Sequence, residues 1–122
     1  MMLIDSNIII YAAQPENDQL LEFIRTEAPF ASEVSRIEVL GYPDLDSDEL
    51  KFFEEFFNST GVLPITEDVI IEAIRLRQIR RINLGDSLIA ATALANKLQL
   101  MTNNTKDFKW ISNLTLRNPL ES

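Results

Sequence analysis

Three acidic residues, Asp5, Glu38 and Asp86, each lie close to a point where a predicted strand passes into a predicted helix. In a parallel sheet these junctions collect at one edge, so the three carboxylates could converge. Two carboxylates ~4 Å apart repel by roughly 4 kcal/mol at an effective dielectric constant near 20, so such a cluster needs a cation. Oxygen ligands alone favour Mg²⁺ or Mn²⁺. The alternative is that the acids stay apart in space.

Two of these acids also fit a structural role. Asn83 followed by Asp86 resembles a capping box at a helix start, and Ser35 followed by Glu38 fits the S-x-x-E form of the same motif. Either acid alone is more typical of a helix cap than of a catalytic group.

The residue types that are missing exclude many kinds of chemistry. The chain has no Cys and no His, which rules out thiol nucleophiles, imidazole acids and bases, a Ser-His-Asp triad and the usual Cys/His zinc site. Its three glycines cannot form a P-loop or a dinucleotide-binding fingerprint. Carboxylates are therefore left to carry any catalysis.

The charge balance is acidic, with 11 Lys and Arg against 19 Asp and Glu, which gives a formal net charge of −8. This balance argues against nucleic-acid binding by broad electrostatic attraction. One dense basic segment, "IRLRQIRR", nevertheless contains Arg75, Arg77, Arg80 and Arg81. These arginines either bind nucleic-acid phosphates or form a solvated helix face that pairs with the nearby acids Glu67, Asp68 and Glu72.

Length and composition predict a single globular domain over residues 1–122, since 46% of the residues are apolar and no repeat is seen. The longest apolar stretches fall far short of the roughly 18 residues that a membrane span needs. No basic region precedes the first of them, so it does not resemble a signal peptide. We therefore expect a cytoplasmic protein without a membrane anchor.

Hydrophobic periodicity predicts strands that alternate with helices along the chain. The predicted strands are "MLI", "FAS", "VLPI", "LMT" and "LTLR". The predicted helices are "NIIIYAA", "NDQLLEFIRTE", "SRIEVLGY", "DSDELKFFEEFFNSTG", "TEDVIIEAIRLRQIRR" and "DSLIAATALANKLQ". Ser6 or Asn7 is expected to cap the first helix, and the fifth is expected to bury Val69, Ile70, Ala73, Ile74 and Leu76. This alternation is typical of an α/β protein, a three-layer α/β/α sandwich with a mostly parallel sheet.

Four segments, "LIDSNIIIYA", "SEVSRIEVLGY", "INLGDSLIAATALA" and "MTNNTKDF", resemble the PIN domain in that order across nearly the whole chain. The resemblance is strongest to the VapC-type toxins of prokaryotic toxin–antitoxin systems. It implies a Mg²⁺- or Mn²⁺-dependent ribonuclease that cuts single-stranded RNA, with Asp5, Glu38 and Asp86 as the first three metal-binding acids. It also implies a cognate antitoxin that covers the site, and a homodimer.

The fourth acidic position of that family is where the chain departs from the pattern. Asn104 stands where many members have an acid, and Asp107 follows three residues later. Asn104 can ligate through its carbonyl oxygen but brings no charge, so we expect one firmly bound metal and a second recruited by substrate. Asp107 either substitutes as an acidic ligand or caps the short turn before Phe108. Ser6, Asn7 and Thr102 are candidates to orient ligands or water.

Two other functions are compatible with parts of the pattern. A PIN-like fold with an incomplete acid set could bind RNA or a protein without cutting, and Asn104 supports that alternative. A phosphoacceptor domain would need a further acid beside Asp5 or at another strand end, together with a Lys after a late strand. "DSN" supplies no second acid, so this alternative is disfavoured.

Overall fold

The computed structural model describes residues 1–121, in which strands and helices alternate as predicted. The strands are β1 (Met2–Ile4), β2 (Phe30–Ser32), β3 (Val62–Leu63), β4 (Gln99–Met101) and β5 (Leu116–Arg117). The helices are α1 (Ser6–Ala12), α2 (Asp18–Glu27), α3 (Glu33–Leu40), α4 (Ser47–Asn58), α5 (Glu67–Ile79), α6 (Leu84–Ala95) and α7 (Thr105–Phe108). Within this part of the chain, no helix has the length and apolar character that crossing a bilayer requires.

The five strands form one fully parallel sheet in the order β3-β2-β1-β4-β5. In the central strand, Leu3 is paired with Phe30 on one side and with Leu100 on the other. The chain builds outward from β1 to β3 in one direction and then returns to add β4 and β5 in the other. Such a reversal opens a crevice beyond the carboxyl ends of the two strands that flank it, here β1 and β4.

Helices cover both faces of the sheet, which confirms the α/β/α layering. Successive side chains of a strand point to opposite faces, so Leu3 and Ile4 belong to different cores. Leu3 lies in a core with residues of α5, α6 and α7, while Ile4 packs with residues of α1, α2 and α4. Both side chains are fully buried, as is typical of a parallel sheet covered on both sides.

Two predicted helix starts are wrong. Helix α1 begins at Ser6, with Asp5 in the N-cap position, so neither Ser6 nor Asn7 is the cap. Helix α3 begins at Glu33, and the Ser32 hydroxyl accepts the Val34 N–H at 3.0 Å. Ser35 therefore lies inside the helix, and the capping-box interpretation of Ser35 with Glu38 fails because Ser32 already occupies that position.

Helix α5 buries a narrower face than predicted. Val69, Ala73 and Leu76 are buried against the sheet side, but Ile70 and Ile74 are 39% and 52% exposed. Ile70 lies at the edge of the buried face and Ile74 further round the helix, since successive residues are about 100° apart. The sequence offered two apolar faces, and only one of them is buried within the chain.

Candidate active site

Asp5 lies in the crevice between β1 and β4. Its backbone N–H donates to the Met101 carbonyl at 2.9 Å, which continues the pairing of the two strands by one residue. Its Oδ2 atom accepts a 2.7 Å hydrogen bond from the Thr102 hydroxyl, and only 4% of the residue is exposed. Although Asp5 precedes α1, its side chain does not cap that helix. The carboxylate is thus turned toward the end of β4.

Glu38, on α3, reaches the segments that carry the other two acids. Its Oε1 atom lies 2.8 Å from the Ser6 hydroxyl, directly after Asp5. Its Oε2 atom lies against Gly85, directly before Asp86, so closely that a Cβ atom on Gly85 would be 2.5 Å away. The Glu38 carboxylate therefore lies between the chain segments of Asp5 and Asp86.

Asp86 lies in the first turn of α6 and is linked to the residue that caps this helix. The Asn83 side-chain carbonyl accepts the Asp86 N–H at 2.8 Å, as expected for an N-cap. The Asn83 amide in turn donates to Asp86 Oδ2 at 3.0 Å. Asn83 is therefore the predicted cap, and it also fixes the direction of the Asp86 carboxylate.

The fourth position combines Asn104 and Asp107. The Asn104 amide donates to Asp107 Oδ2 at 2.7 Å, and the Asn104 N–H donates to the Thr102 hydroxyl at 3.0 Å. Thr102 therefore connects this segment to Asp5. Asp107 lies within α7 and Asn104 occupies its N-cap position, so the interpretation of Asp107 as a cap is wrong. Asn7 lies exposed on α1, and no side-chain hydrogen bond of Asn7 is found within residues 1–121.

The pKa values show that the acids interact. Burial, with smaller contributions from the charges of Asp86 and Glu38, raises the pKa of Asp5 to about 6 against the lowering effect of the hydrogen bonds from Thr102 and Ser6. Burial also raises the pKa of Asp86, with contributions from the charges of Asp107 and Glu38. The four carboxylates thus form one electrostatically coupled group, which we call the acid cluster.

The acid cluster has the chemistry of a site for a hard divalent cation. Within residues 1–121, none of its four members forms an ion pair with Lys or Arg. In the same range, no group of three or more acidic side chains is placed closely enough to hold a metal ion, so binding would require the side chains to move together. Asn103, directly after Thr102, also has a buried carbonyl oxygen without a hydrogen-bond partner. Uncompensated carboxylates with oxygen donors around them fit Mg²⁺ or Mn²⁺.

The predicted arginine segment does not act as one patch. Arg75 pairs with Glu72 on its own helix, as the structural alternative required. The Arg80 guanidinium lies 5.5 Å from the centre of the Trp110 ring, and the indole N–H donates to the Asp107 carbonyl at 2.8 Å. Arg77 and Arg81 are exposed. Arg80 thus lies against Trp110, whose indole is hydrogen-bonded to the backbone of Asp107.

The sequence analysis missed three residues at the site: Ser35, Gly85 and Trp110. Ser35 was assigned to a cap, although it is fully buried and lies 2.8 Å from the Ser6 hydroxyl. Gly85 was considered only for nucleotide-binding motifs. Trp110 is the only Trp in the chain and follows Asp107 by three residues. This short spacing was the one sequence feature that could have placed Trp110 near the site.

Comparison with known proteins identifies the family. The model of the PIN domain matches residues 2–113. The chain belongs to the PIN domain family. PIN domains are generally nucleases, and these nucleases generally use divalent metal ions. A search of the curated proteins finds no match to the chain.

Several solved structures that share this fold come from toxin–antitoxin complexes. A chain of such a complex from Klebsiella pneumoniae is 24% identical with a TM-score of 0.80, and the match covers 100% of both chains. A chain of VapBC2 from Rickettsia felis, bound to a promoter DNA fragment, is 23% identical with a TM-score of 0.81 over 96% and 97% of the two chains. DNA-bound VapBC from Salmonella typhimurium gives 19% identity and a TM-score of 0.84, with 97% of each chain covered. At these identities the similarity establishes the PIN fold.

Replacing Asp5 by Asn should stabilise the metal-free protein at pH 7. The folded pKa of about 6 lies above the reference value of 3.8, so the folded state holds more protons between these values and its stability falls as the pH rises through them. Ionising Asp5 in the fold costs about 3 kcal/mol at pH 7. Asn removes this cost and can still accept from Thr102.

The measurement is urea unfolding in EDTA at pH 4, 5.5 and 7, with Glu54→Gln as an exposed control on α4. The stability gain of Asp5→Asn should shrink toward zero at the lowest pH, while the control changes little at any pH. If Asp5→Asn is less stable than the wild type at pH 7, the claim that the buried Asp5 charge destabilises the metal-free fold is wrong.

Proposed function

We propose that this PIN domain is a Mg²⁺- or Mn²⁺-dependent endoribonuclease that cleaves single-stranded RNA, and that it is the toxin of a VapBC-type toxin–antitoxin pair. The observation that carries the proposal is the acid cluster at the carboxyl edge of the sheet, which has no Lys or Arg ion pair within residues 1–121. In a chain without His or Cys, carboxylates are the groups that can support phosphodiester hydrolysis.

Asp5, Glu38 and Asp86 would hold the metal, with Asp107 at the fourth position. When bound, the ion polarises a phosphate oxygen and lowers the pKa of a water molecule, which supplies the nucleophile. Neutral donors orient the acids: Thr102 holds Asp5 and Asn83 holds Asp86. Asn104 likewise holds Asp107, but its own amide brings no charge. This supports one firmly bound metal, with a second recruited by substrate.

RNA would approach along the end of α5. Arg80 and the exposed Arg77 and Arg81 would contact phosphates, giving local positive potential on an acidic protein. Arg75 contributes less because it pairs with Glu72. Arg80 stacks on Trp110, whose indole N–H is hydrogen-bonded to the backbone carbonyl of Asp107, and this contact supports the proposed direction of approach.

A cognate antitoxin is the proposed protein partner. Its support is the structural similarity to chains from toxin–antitoxin complexes, two of them bound to DNA. We propose that the antitoxin covers the acid cluster and so controls access of RNA. A small basic or DNA-binding reading frame next to the gene would support this pairing.

The homodimer is proposed to form through the exposed face of α5. Ile70, Ile71 and Ile74 lie exposed on this helix, outside the buried face that packs on α6. The helix has Glu67 and Asp68 in its first turn and arginines toward its end. A two-fold axis perpendicular to α5 would pair it antiparallel with its copy and place the acidic end of each helix beside the basic end of the other. Apolar and charge complementarity thus both favour a second copy.

A non-catalytic PIN module that binds RNA or protein is the second candidate. Two observations favour it: Asn104 stands at the fourth acidic position, and within residues 1–121 no group of three or more acids is placed to hold a metal ion. The two candidates differ in whether metal brings cleavage.

The wild-type protein should cut single-stranded RNA, and not single-stranded DNA, when Mn²⁺ or Mg²⁺ is added. Asp5→Asn should abolish cleavage, because it removes a charged metal ligand, while the variant stays folded. Glu54→Gln is the matched control and should retain full activity. RNA binding without cleavage at any Mn²⁺ concentration would support the non-catalytic candidate. Full activity of Asp5→Asn would show that Asp5 is not a required metal ligand.

Mg²⁺ and Mn²⁺ should raise the melting temperature of the wild type. A ligand that binds only the folded state adds about 2.7 kcal/mol of stability at a hundred times its dissociation constant. Asp86→Asn removes one acid of the cluster and should show a much smaller increase. Differential scanning calorimetry with each ion in the millimolar range gives the measurement. An unchanged melting temperature in the wild type argues against a metal site.

If the exposed isoleucines of α5 form the dimer interface, a charge placed among them should prevent dimerisation. Ile74→Glu should convert a wild-type dimer to a monomer, whereas Leu50→Glu, an exposed apolar position on α4, should not. Asp68→Arg should weaken the dimer, and Asp68→Arg with Arg77→Asp should restore it, since the end charges are then exchanged together. Light scattering after gel filtration reports the masses. A monomeric wild type, or an Ile74→Glu variant that still dimerises, rejects this interface.

A further inference from the structure

We infer that Ser35 and Gly85 are positioning residues that set the location of the Glu38 carboxylate, Ser35 through a hydroxyl chain and Gly85 by having no side chain. The inference rests on the proposed function, in which Glu38 is a metal ligand. Neither residue belongs to the acid cluster, and each contacts Glu38 or its hydrogen-bond donor from a different side.

Proton counting fixes the direction of the hydroxyl chain. The Ser6 hydroxyl lies 2.8 Å from Glu38 Oε1 and 2.8 Å from the Ser35 hydroxyl, but it has only one proton to donate. An ionised carboxylate can only accept, so the Ser6 proton must go to Glu38. The Ser35 hydroxyl must then donate to Ser6. Ser35 is fully buried, which shields this bond from competing water.

Without Ser35, the Ser6 hydroxyl loses the partner that fixes its rotation. Ser6 could then turn away from Glu38, whose side chain is exposed and has several rotatable bonds. Ser35 therefore acts on Glu38 indirectly, through the Ser6 hydroxyl that contacts the carboxylate.

Gly85 bounds the same carboxylate from the opposite side. A Cβ atom there would lie 2.5 Å from Glu38 Oε2, closer than such atoms can pack, and 3.3 Å from its Cδ atom, which is a tight contact. The obstructed group is the end of a flexible side chain and not backbone, so the helix can accept a methyl group if Glu38 moves. Because Ala has a higher helix propensity than Gly, Gly85→Ala in α6 should fold well while displacing the acid.

The test measures Mn²⁺ affinity by calorimetry on Ser35→Ala, Gly85→Ala and the control Ser87→Ala. Ser87 is also a fully buried serine, but its hydroxyl donates to the Leu84 carbonyl in its own helix. Removing a group that orients a metal ligand typically weakens metal binding about tenfold or more. We expect a loss of about this size in the first two variants, a smaller change in the control, and melting temperatures that remain close to the wild type for Gly85→Ala.

The same substitutions made in a Glu38→Gln background separate positioning from general structural damage. If Ser35 and Gly85 act through the Glu38 carboxylate, each should add less than about a twofold further loss there, since the group they position is no longer charged. An undiminished loss in that background, or a loss of equal size in Ser87→Ala, overturns the inference.

The carboxyl ¹³C resonance of Glu38 in the metal-free protein gives a readout that does not require the metal. It should shift in Ser35→Ala and Gly85→Ala and stay in place in Ser87→Ala. An unmoved resonance refutes the positioning role whatever the nuclease does. A moved resonance in a protein whose wild type binds no Mn²⁺ supports the positioning role and refutes the proposed function.

Discussion

The candidate site depends on one constraint: the Asp5 carboxylate is buried at the point where the sheet changes direction, and within residues 1–121 no Lys or Arg forms an ion pair with it. The strand order places the ends of β1 and β4 side by side, and Asp5 follows β1 while its hydrogen-bond donor Thr102 follows β4. Burial and the neighbouring acids make ionisation costly, which raises the pKa of Asp5 to about 6. That cost is a substantial part of the roughly 5 to 15 kcal/mol that stabilises a domain. A bound cation would attract the Asp5 carboxylate, and this attraction would offset the cost of burying its charge.

In the described part of the chain, the side-chain hydrogen bonds that orient the acids come from neutral groups, and no Lys or Arg forms an ion pair with them. Thr102 bonds Asp5, Ser6 bonds Glu38 and Asn83 bonds Asp86, while Asn104 bonds Asp107 in the same way. A Lys or Arg in any of these places would cancel the charge that a metal needs, whereas a hydroxyl or an amide fixes direction and leaves the charge intact. The carboxylates of the site are therefore already oriented, while their negative charges remain available to a cation.

The sequence predicted the parts of the site that depend on chain order. Strand and helix alternation was enough to place Asp5, which directly follows β1, at the carboxyl edge of the sheet. The same argument fails for Asp86, because α6 comes directly after α5 with no strand between them, and it is incomplete for Glu38, which lies near the end of α3. Contacts across the edge were not predictable. Ser35 was misread because a serine three residues before a glutamate looks the same whether it caps a helix or lies within one. Whether Gly85 meets a carboxylate depends on the path of α3, which local patterns do not encode.

Helix α5 shows a second limit of sequence patterns, and it links two of the proposed functions. Apolar residues occupy both its faces, and periodicity alone does not say which face the chain itself buries. If the exposed isoleucines are covered by a second copy, Arg77 lies beside the acidic end of the partner helix and is partly neutralised there. Arg80 caps the end of α5 and Arg81 follows it, so both remain available beside Trp110 and Asp107. Dimerisation would thus concentrate the positive charge for RNA at the end of α5 nearest the acid cluster.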